Sequence, residues 1–125
     1  MLIQEKYSEN AYSLRDAYIG KTIDIIVPSL FHYEVLNAIK YSKAYSWNEL
    51  ETISETLENY RFGVFNFTTN FAKIIVSIST KYNITMYDAS YVALASLTNS
   101  KFYTSDEKLI KAVRLPFVCH IKDFK

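Results

Sequence analysis

Apolar residues recur along this chain with two different spacings. Short, mostly apolar runs at residues 23–27, 64–67, 101–104 and 117–121 are typical of buried strands. Elsewhere apolar residues return every three or four positions, which predicts helices at about 8–19, 30–43, 46–62, 69–82, 85–97 and 106–113. Strands that alternate with helices favour parallel pairing with right-handed crossovers. We therefore predict an α/β fold with a single-layer, mostly parallel sheet flanked by helices.

Several predicted helix ends carry recognisable capping residues. Ser46 and Glu49 have the spacing of a capping box. Ser29 is predicted to cap the second helix, and Thr85 the fifth. Asn83 is predicted to end the fourth helix in the left-handed conformation.

Length and composition narrow the class of protein. The 125 residues suit one domain over residues 1–125, and half of them are hydrophobic. The balance of 14 basic against 13 acidic side chains gives a net charge of +1, which argues mildly against a nucleic-acid binder. One cysteine allows no internal disulfide, and no apolar stretch approaches the roughly 20 residues of a membrane span. A cytoplasmic protein without a membrane segment is the expectation.

Three acids follow or open different predicted elements. Glu34 lies one turn into the helix after the first strand, Asp88 in the first turn of the fifth helix, and Asp106 just after the third strand. Ligands of open parallel sheets bind beyond the carboxyl ends of the strands. Carboxylates gathered there suit Mg²⁺ or Mn²⁺, which promote phosphodiester chemistry. Thr104 and Asn37 are candidate substrate-binding residues beside these catalytic and metal-ligand candidates.

Each acid also has a purely structural interpretation. Asp88 completes a capping-box pattern with the residue three positions earlier, and Asp106 complements a helix N-terminus. Glu34 stands among apolar neighbours, where an acid usually has a partner or a function. His32 and His120 lack a second histidine at ligand spacing and are predicted to be structural or surface residues.

Three segments, 27–39, 87–95 and 103–109, resemble the PIN-domain family, and most closely its VapC toxins from prokaryotic toxin–antitoxin pairs. The resemblance implies a three-layer α/β/α fold. It also implies a Mg²⁺- or Mn²⁺-dependent endoribonuclease that cuts single-stranded RNA regions, a VapB-like antitoxin that blocks the acidic pocket, and a dimer. Carried over by motif, Glu34, Asp88 and Asp106 match acidic metal-site positions, and Thr104 matches a hydroxyl beside the last acid.

The sequence departs from the family pattern at its beginning. The family starts with a central strand that ends in aspartate, whereas residues 1–7 look like the tail of the first helix, and neither Asp16 nor Asp24 matches the missing acid. Strand edges without a partner favour self-association, so we expect an oligomer. Loss of one acid predicts impaired activity. It leaves open a degenerate, non-catalytic PIN-like module that binds an antitoxin peptide or RNA, and a structural subunit whose acids are only caps.

Overall fold

A computed structural model describes the backbone of residues 8–124 and the side chains of residues 12–124. The predicted first-helix tail at residues 1–7 lies outside the described residues. The helices are α1 (Ser8–Ile19), α2 (Phe31–Ser42), α3 (Trp47–Asn59), α4 (Thr69–Tyr82), α5 (Met86–Thr98) and α6 (Glu107–Val113). The strands are β1 (Ile26–Pro28), β2 (Gly63–Phe65), β3 (Phe102–Thr104) and β4 (Val118–His120), followed by a 3₁₀ turn, Ile121–Asp123. Among these elements no helix is long and apolar enough to cross a membrane.

The strands pair in parallel, as predicted, but they do not form one sheet. Over residues 8–124, β1 pairs with β2 and β3 pairs with β4, giving two separate two-stranded sheets. The predicted parallel pairing is therefore confirmed, whereas the predicted single sheet is divided into two within the described part of the chain. Strand β1 also begins at Ile26 rather than at residue 23, since its ladder starts where Gly63 provides a partner.

Gly63 permits the close approach of β1 and β2. A Cβ at this position would lie 3.1 Å from Ile26 Cγ2, which is tighter than ordinary van der Waals contact. The preceding helix, α3, is followed by Arg61 in the left-handed conformation, with φ of 52°. A larger residue at position 63 would therefore crowd Ile26, and the helix ends through a different residue.

The capping signals are mostly confirmed. Glu49 N donates to Ser46 Oγ at 3.2 Å, and Ser46 N donates to Glu49 Oε1 at 2.9 Å, which completes the capping box. Asn83 ends α4 with φ of 52°. The prediction for Ser29 is wrong, because α2 begins one residue later, with Leu30 as an N-cap that makes no side-chain hydrogen bond.

Helix α5 is the most deeply buried element of the described fold. Six consecutive or nearly consecutive positions are buried: Ala89, Ser90, Val92, Ala93, Leu94 and Ala95. On one side Ala89 and Ala93 pack with Phe71 and Ile75 of α4, and on another Val92 packs with Leu109, Val113 and Val118. The helix also contacts both β1 and β3. Because burial on several sides fixes its position, α5 provides a rigid support for the residues at its N-terminus.

Candidate acidic site

Glu34 lies on the first turn of α2 and is exposed to solvent. Its Oε1 accepts a hydrogen bond of 2.5 Å from the Tyr91 hydroxyl, 57 positions further along the chain. The Tyr91 ring is held in turn by a stacked contact with Phe102 of β3, with centroids 5.3 Å apart. The partner that the sequence predicted for this acid is thus a tyrosine on α5.

Asp88 is half-buried in the first turn of α5. Its backbone N–H donates to Thr85 Oγ1 at 3.0 Å, so Thr85 caps the helix as predicted. Burial raises the pKa of the Asp88 carboxyl, the negative charge of Asp106 raises it further, and a hydrogen bond with Thr85 acts in the opposite direction. Asp88 and Asp106 are therefore close enough for their charges to repel.

Asp106 is the N-cap of α6, so the prediction that it complements a helix N-terminus is confirmed. Oδ1 accepts from Leu109 N at 3.1 Å, and Asp106 N donates to Thr104 Oγ1 at 3.1 Å. These two bonds hold the carboxylate at the end of β3. Capping uses one carboxylate oxygen and leaves Oδ2 outside the cap, so the structural role is compatible with a ligand at this position.

Tyr91 connects the acids, and sequence reasoning gave it no role. Burial raises the pKa of its hydroxyl, as do the hydrogen bond to Glu34 and the negative charges of Glu34 and Asp88. Tyr91 therefore lies near both Glu34, to which it donates, and Asp88 on its own helix. A signal for Tyr91 was present in the sequence, because it lies three residues after Asp88 and so on the same face of the helix.

The acids have no basic partner within the described residues. The ion pairs found there are Arg15 with Asp16 at 3.1 Å, and His120 Nε2 with Glu107 Oε1 at 3.8 Å. Neither pair involves Glu34, Asp88 or Asp106. Within the described residues, no lysine or arginine therefore forms an ion pair that would lower the Asp88 pKa, which burial and then the Asp106 charge raise.

The fit to a divalent ion is partial. Across residues 8–124 no three His, Cys, Asp or Glu side chains come close enough to hold a metal ion by themselves. Mg²⁺, however, is usually bound by one or two carboxylates together with waters and substrate phosphates. The oxygen donors of the repelling pair Asp88 and Asp106 fit that chemistry. Participation of Glu34 in the same ion site stays a prediction.

Beside Glu34 lies an open groove of about 600 Å³. It is lined by Leu30, Tyr33, Glu34, Leu36, Asn37, Lys40 and Tyr87. Asn37 thus shares a surface with Glu34, one turn away on α2. Thr104 is half-buried and contributes its hydroxyl oxygen to the Asp106 backbone, so a direct substrate contact from either residue stays a prediction.

The two histidines have structural surroundings in the described fold. His120 is 6% exposed at the end of β4, and its Nδ1 accepts from Lys122 N at 3.1 Å. His32 is half-buried, and its ring lies edge-on to Phe31 with centroids 5.4 Å apart. These contacts agree with the prediction that both histidines are structural or surface residues.

Parallel strands, flanking helices and carboxylates placed after β1 and β3 define an α/β domain with an acidic site at the strand ends. The family model of the PIN domain matches residues 2–115, and the chain belongs to this family. PIN domains are generally metal-dependent nucleases that act on RNA or DNA. No curated protein matches the chain at a significant level.

Proposed function

We propose that this protein is a Mg²⁺- or Mn²⁺-dependent endoribonuclease of the VapC type that cleaves single-stranded RNA regions. The observation that carries the proposal is the placement of Asp88 in the first turn of α5 and of Asp106 as the N-cap of α6 directly after β3, where neither forms an ion pair with a basic side chain of the described residues. Family membership supports the same chemistry. A divalent cation is the simplest counter-charge for two oxygen ligands of this kind.

The residues have distinct roles in this proposal. Asp88 and Asp106 would hold the ion, which would supply a counter-charge for the phosphate and lower the pKa of a bound water. Tyr91 is a positioning residue, because its hydroxyl donates to one carboxylate oxygen of Glu34. Asp106 is held in place by the first turn of α6. Asn37 and Thr104 are the proposed substrate contacts, through an amide and a hydroxyl.

Cleavage of a fluorogenic single-stranded RNA in Mn²⁺ tests the proposal directly. Asp88→Asn keeps the shape of the side chain and removes its charge, so we expect cleavage to be lost. Asp16→Asn is the matched control, since Asp16 is an exposed aspartate paired with Arg15 away from the site. Equal activity of Asp88→Asn and wild type would refute the assignment of Asp88.

A non-catalytic binding module is the second candidate function. It is favoured by the finding that no three candidate ligands among the described residues approach one another closely. Mn²⁺ calorimetry separates the two functions. A non-catalytic module should not bind Mn²⁺ at the acidic site, so Asp88→Asn should leave its heat of binding unchanged. A nuclease gives a heat of Mn²⁺ binding and loses it in the variant.

The proposed partners follow from the VapC assignment. A VapB-like antitoxin would block the acidic site in a cytoplasmic toxin–antitoxin pair. We also propose a homodimer: within residues 8–124, β1 and β3 each pair with a single strand, and unpaired strand edges promote association. Light scattering after size-exclusion chromatography measures the mass in solution, and a monomer at micromolar concentration would contradict the dimer.

A further inference from the structure

Two tyrosines that line the groove beside Glu34 are exposed to solvent. Tyr33 is 76% exposed and Tyr87 is 66% exposed, and both line the groove that contains Glu34. Each directly precedes a candidate acid in the sequence: Tyr33 comes before Glu34, and Tyr87 before Asp88. Both rings are therefore attached to the backbone that positions the site.

Among the other tyrosines with described side chains, Tyr41 is also exposed, at 69%, and Lys40 Nζ lies 5.9 Å from the centroid of its ring. Several of the remaining tyrosines pack against other rings. Tyr18 and Tyr60 pack against Phe62, with centroids 5.0 and 5.4 Å from it, and Tyr91 stacks on Phe102. In the same part of the chain no ring and no cation lies against Tyr33 or Tyr87. Single exposed aromatic side chains are common, but two on one groove beside an acidic site indicate a ligand surface.

The remaining lining of the groove indicates what the ligand is. Leu30 and Leu36 supply apolar surface, and Lys40 supplies a positive charge that pairs with no carboxylate of the described residues. Flat apolar rings, one cation and an adjacent site for a phosphate-bound metal ion complement a nucleic-acid strand whose bases are unpaired. A duplex keeps its base faces stacked internally and presents none to the rings.

We propose that Tyr33 and Tyr87 form a stacking platform for unpaired RNA bases next to the cleaved phosphate, with Lys40 in contact with a neighbouring phosphate. The choice of RNA rests on the proposed nuclease function. Stacking also explains how a protein with a net charge of +1 binds a polyanion, because base–aromatic stacking does not depend on charge. The platform selects single strands by shape and tolerates different base sequences.

The test is binding of a short fluorescein-labelled oligoadenylate to the full chain in EDTA, followed by fluorescence anisotropy. We expect Tyr33→Ala and Tyr87→Ala each to weaken binding by about 5- to 150-fold, the range for one lost base–aromatic stack. Tyr33→Phe and Tyr87→Phe retain the ring and should bind like wild type. Trp47→Ala is the matched control, since Trp47 is 73% exposed but does not line the groove. Melting curves from circular dichroism verify that the variants are folded.

The salt dependence gives a second, independent readout. One phosphate contact on a single strand contributes a slope of about −0.7 in a plot of log affinity against log salt concentration. We expect a shallow slope of about that size, which Lys40→Gln removes. A slope steeper than about −3 would indicate several phosphate contacts from lysines outside the groove, and it would overturn the platform.

The remaining outcomes are also decisive. No binding by the wild type, or unchanged affinity in both alanine variants, would overturn the platform. The platform would also be overturned if the tyrosine variants kept their affinity for RNA but lost affinity for an arginine-containing peptide, because the groove would then bind a protein partner. Binding in EDTA does not require cleavage: a protein that binds through its tyrosines but never cleaves refutes the nuclease and retains the platform. If the tyrosine variants bind and cleave RNA in Mn²⁺ as well as wild type does, the platform is refuted and the nuclease is retained.

Discussion

Removing one hydroxyl group, in Tyr91→Phe, tests how the acidic site is assembled. The substitution keeps the ring, and with it the stacked contact to Phe102 at 5.3 Å. It removes only the donor to Glu34 Oε1. Hydrogen bonds to a charged group contribute roughly 1.5–3 kcal/mol. Because Glu34 is exposed and water replaces the lost donor, we expect a loss of about 1 kcal/mol in the free energy of unfolding.

A loss of this size is measurable by urea or thermal unfolding. For a domain of this length it corresponds to a fall in melting temperature of roughly 3–5 °C. A double-mutant cycle that combines Tyr91→Phe with Glu34→Ala isolates the interaction between the two side chains. A coupling energy below about 0.3 kcal/mol would show that the hydrogen bond contributes nothing, and the reasoning from the structure would be refuted.

The same variant reports on function. If Glu34 contributes to the metal site, loss of the group that orients it should lower Mn²⁺ affinity or cleavage by roughly 10- to 100-fold. Tyr103→Phe is the matched control, because Tyr103 is a half-buried tyrosine of β3 whose ring packs edge-on against Phe124. Unchanged Mn²⁺ affinity in Tyr91→Phe would separate Glu34 from the ion and leave Asp88 and Asp106 as the ligands.

Three further outcomes are expected from the described contacts. Folding raises the Asp88 pKa, so ionisation of this carboxyl lowers the free energy of unfolding. As the pH rises from the ordinary aspartate range through the raised pKa, wild type should lose stability relative to Asp88→Asn in urea unfolding. Added Mn²⁺ should restore more of this stability in wild type than in the variant. Ser46→Ala removes the N-cap of α3 and should cost about 1 kcal/mol in the same assay, whereas exposed Asn48→Ala in that helix should cost far less. Gly63→Ala should destabilise the β1–β2 pair by roughly 1–3 kcal/mol. Ile26→Ala removes the facing Cγ2, so in the double variant it should relieve much of that cost. Strictly additive effects of the two substitutions on the free energy of unfolding would contradict the steric explanation.

Local features of the fold were predictable because their causes lie within a few residues of one another. The capping box needs only Ser46 and Glu49, and the left-handed end of α4 needs only a residue such as Asn83 that tolerates positive φ. The Ser29 prediction failed for a local reason of the same kind. A helix start displaced by one residue takes the hydroxyl out of register with the N–H groups that it would cap.

Long-range features were not predictable from these patterns. The apolar runs predicted parallel strands, yet a run of apolar residues does not specify which strand lies next to it. The division into β1–β2 and β3–β4 therefore required the structure. The positions of Glu34, Asp88 and Asp106 after strands were readable in the sequence, whereas the bond from Tyr91 to Glu34 joins residues 57 positions apart. Side-chain pairing over that distance depends on how α2 and α5 pack.

The central position of α5 links the acidic site to the stability of the whole domain. Asp88 opens this helix, Tyr91 lies one turn further on, and the intervening and following positions are buried against α4, α6 and both sheets. A close-packed interior transmits small displacements because it has few voids to absorb them. Enlarging Ala93, which is 0% exposed, would therefore shift the N-terminal turn as well as strain the core. Although the two sheets are not joined within the described residues, a single buried helix contacts both, and that helix carries Asp88 and Tyr91.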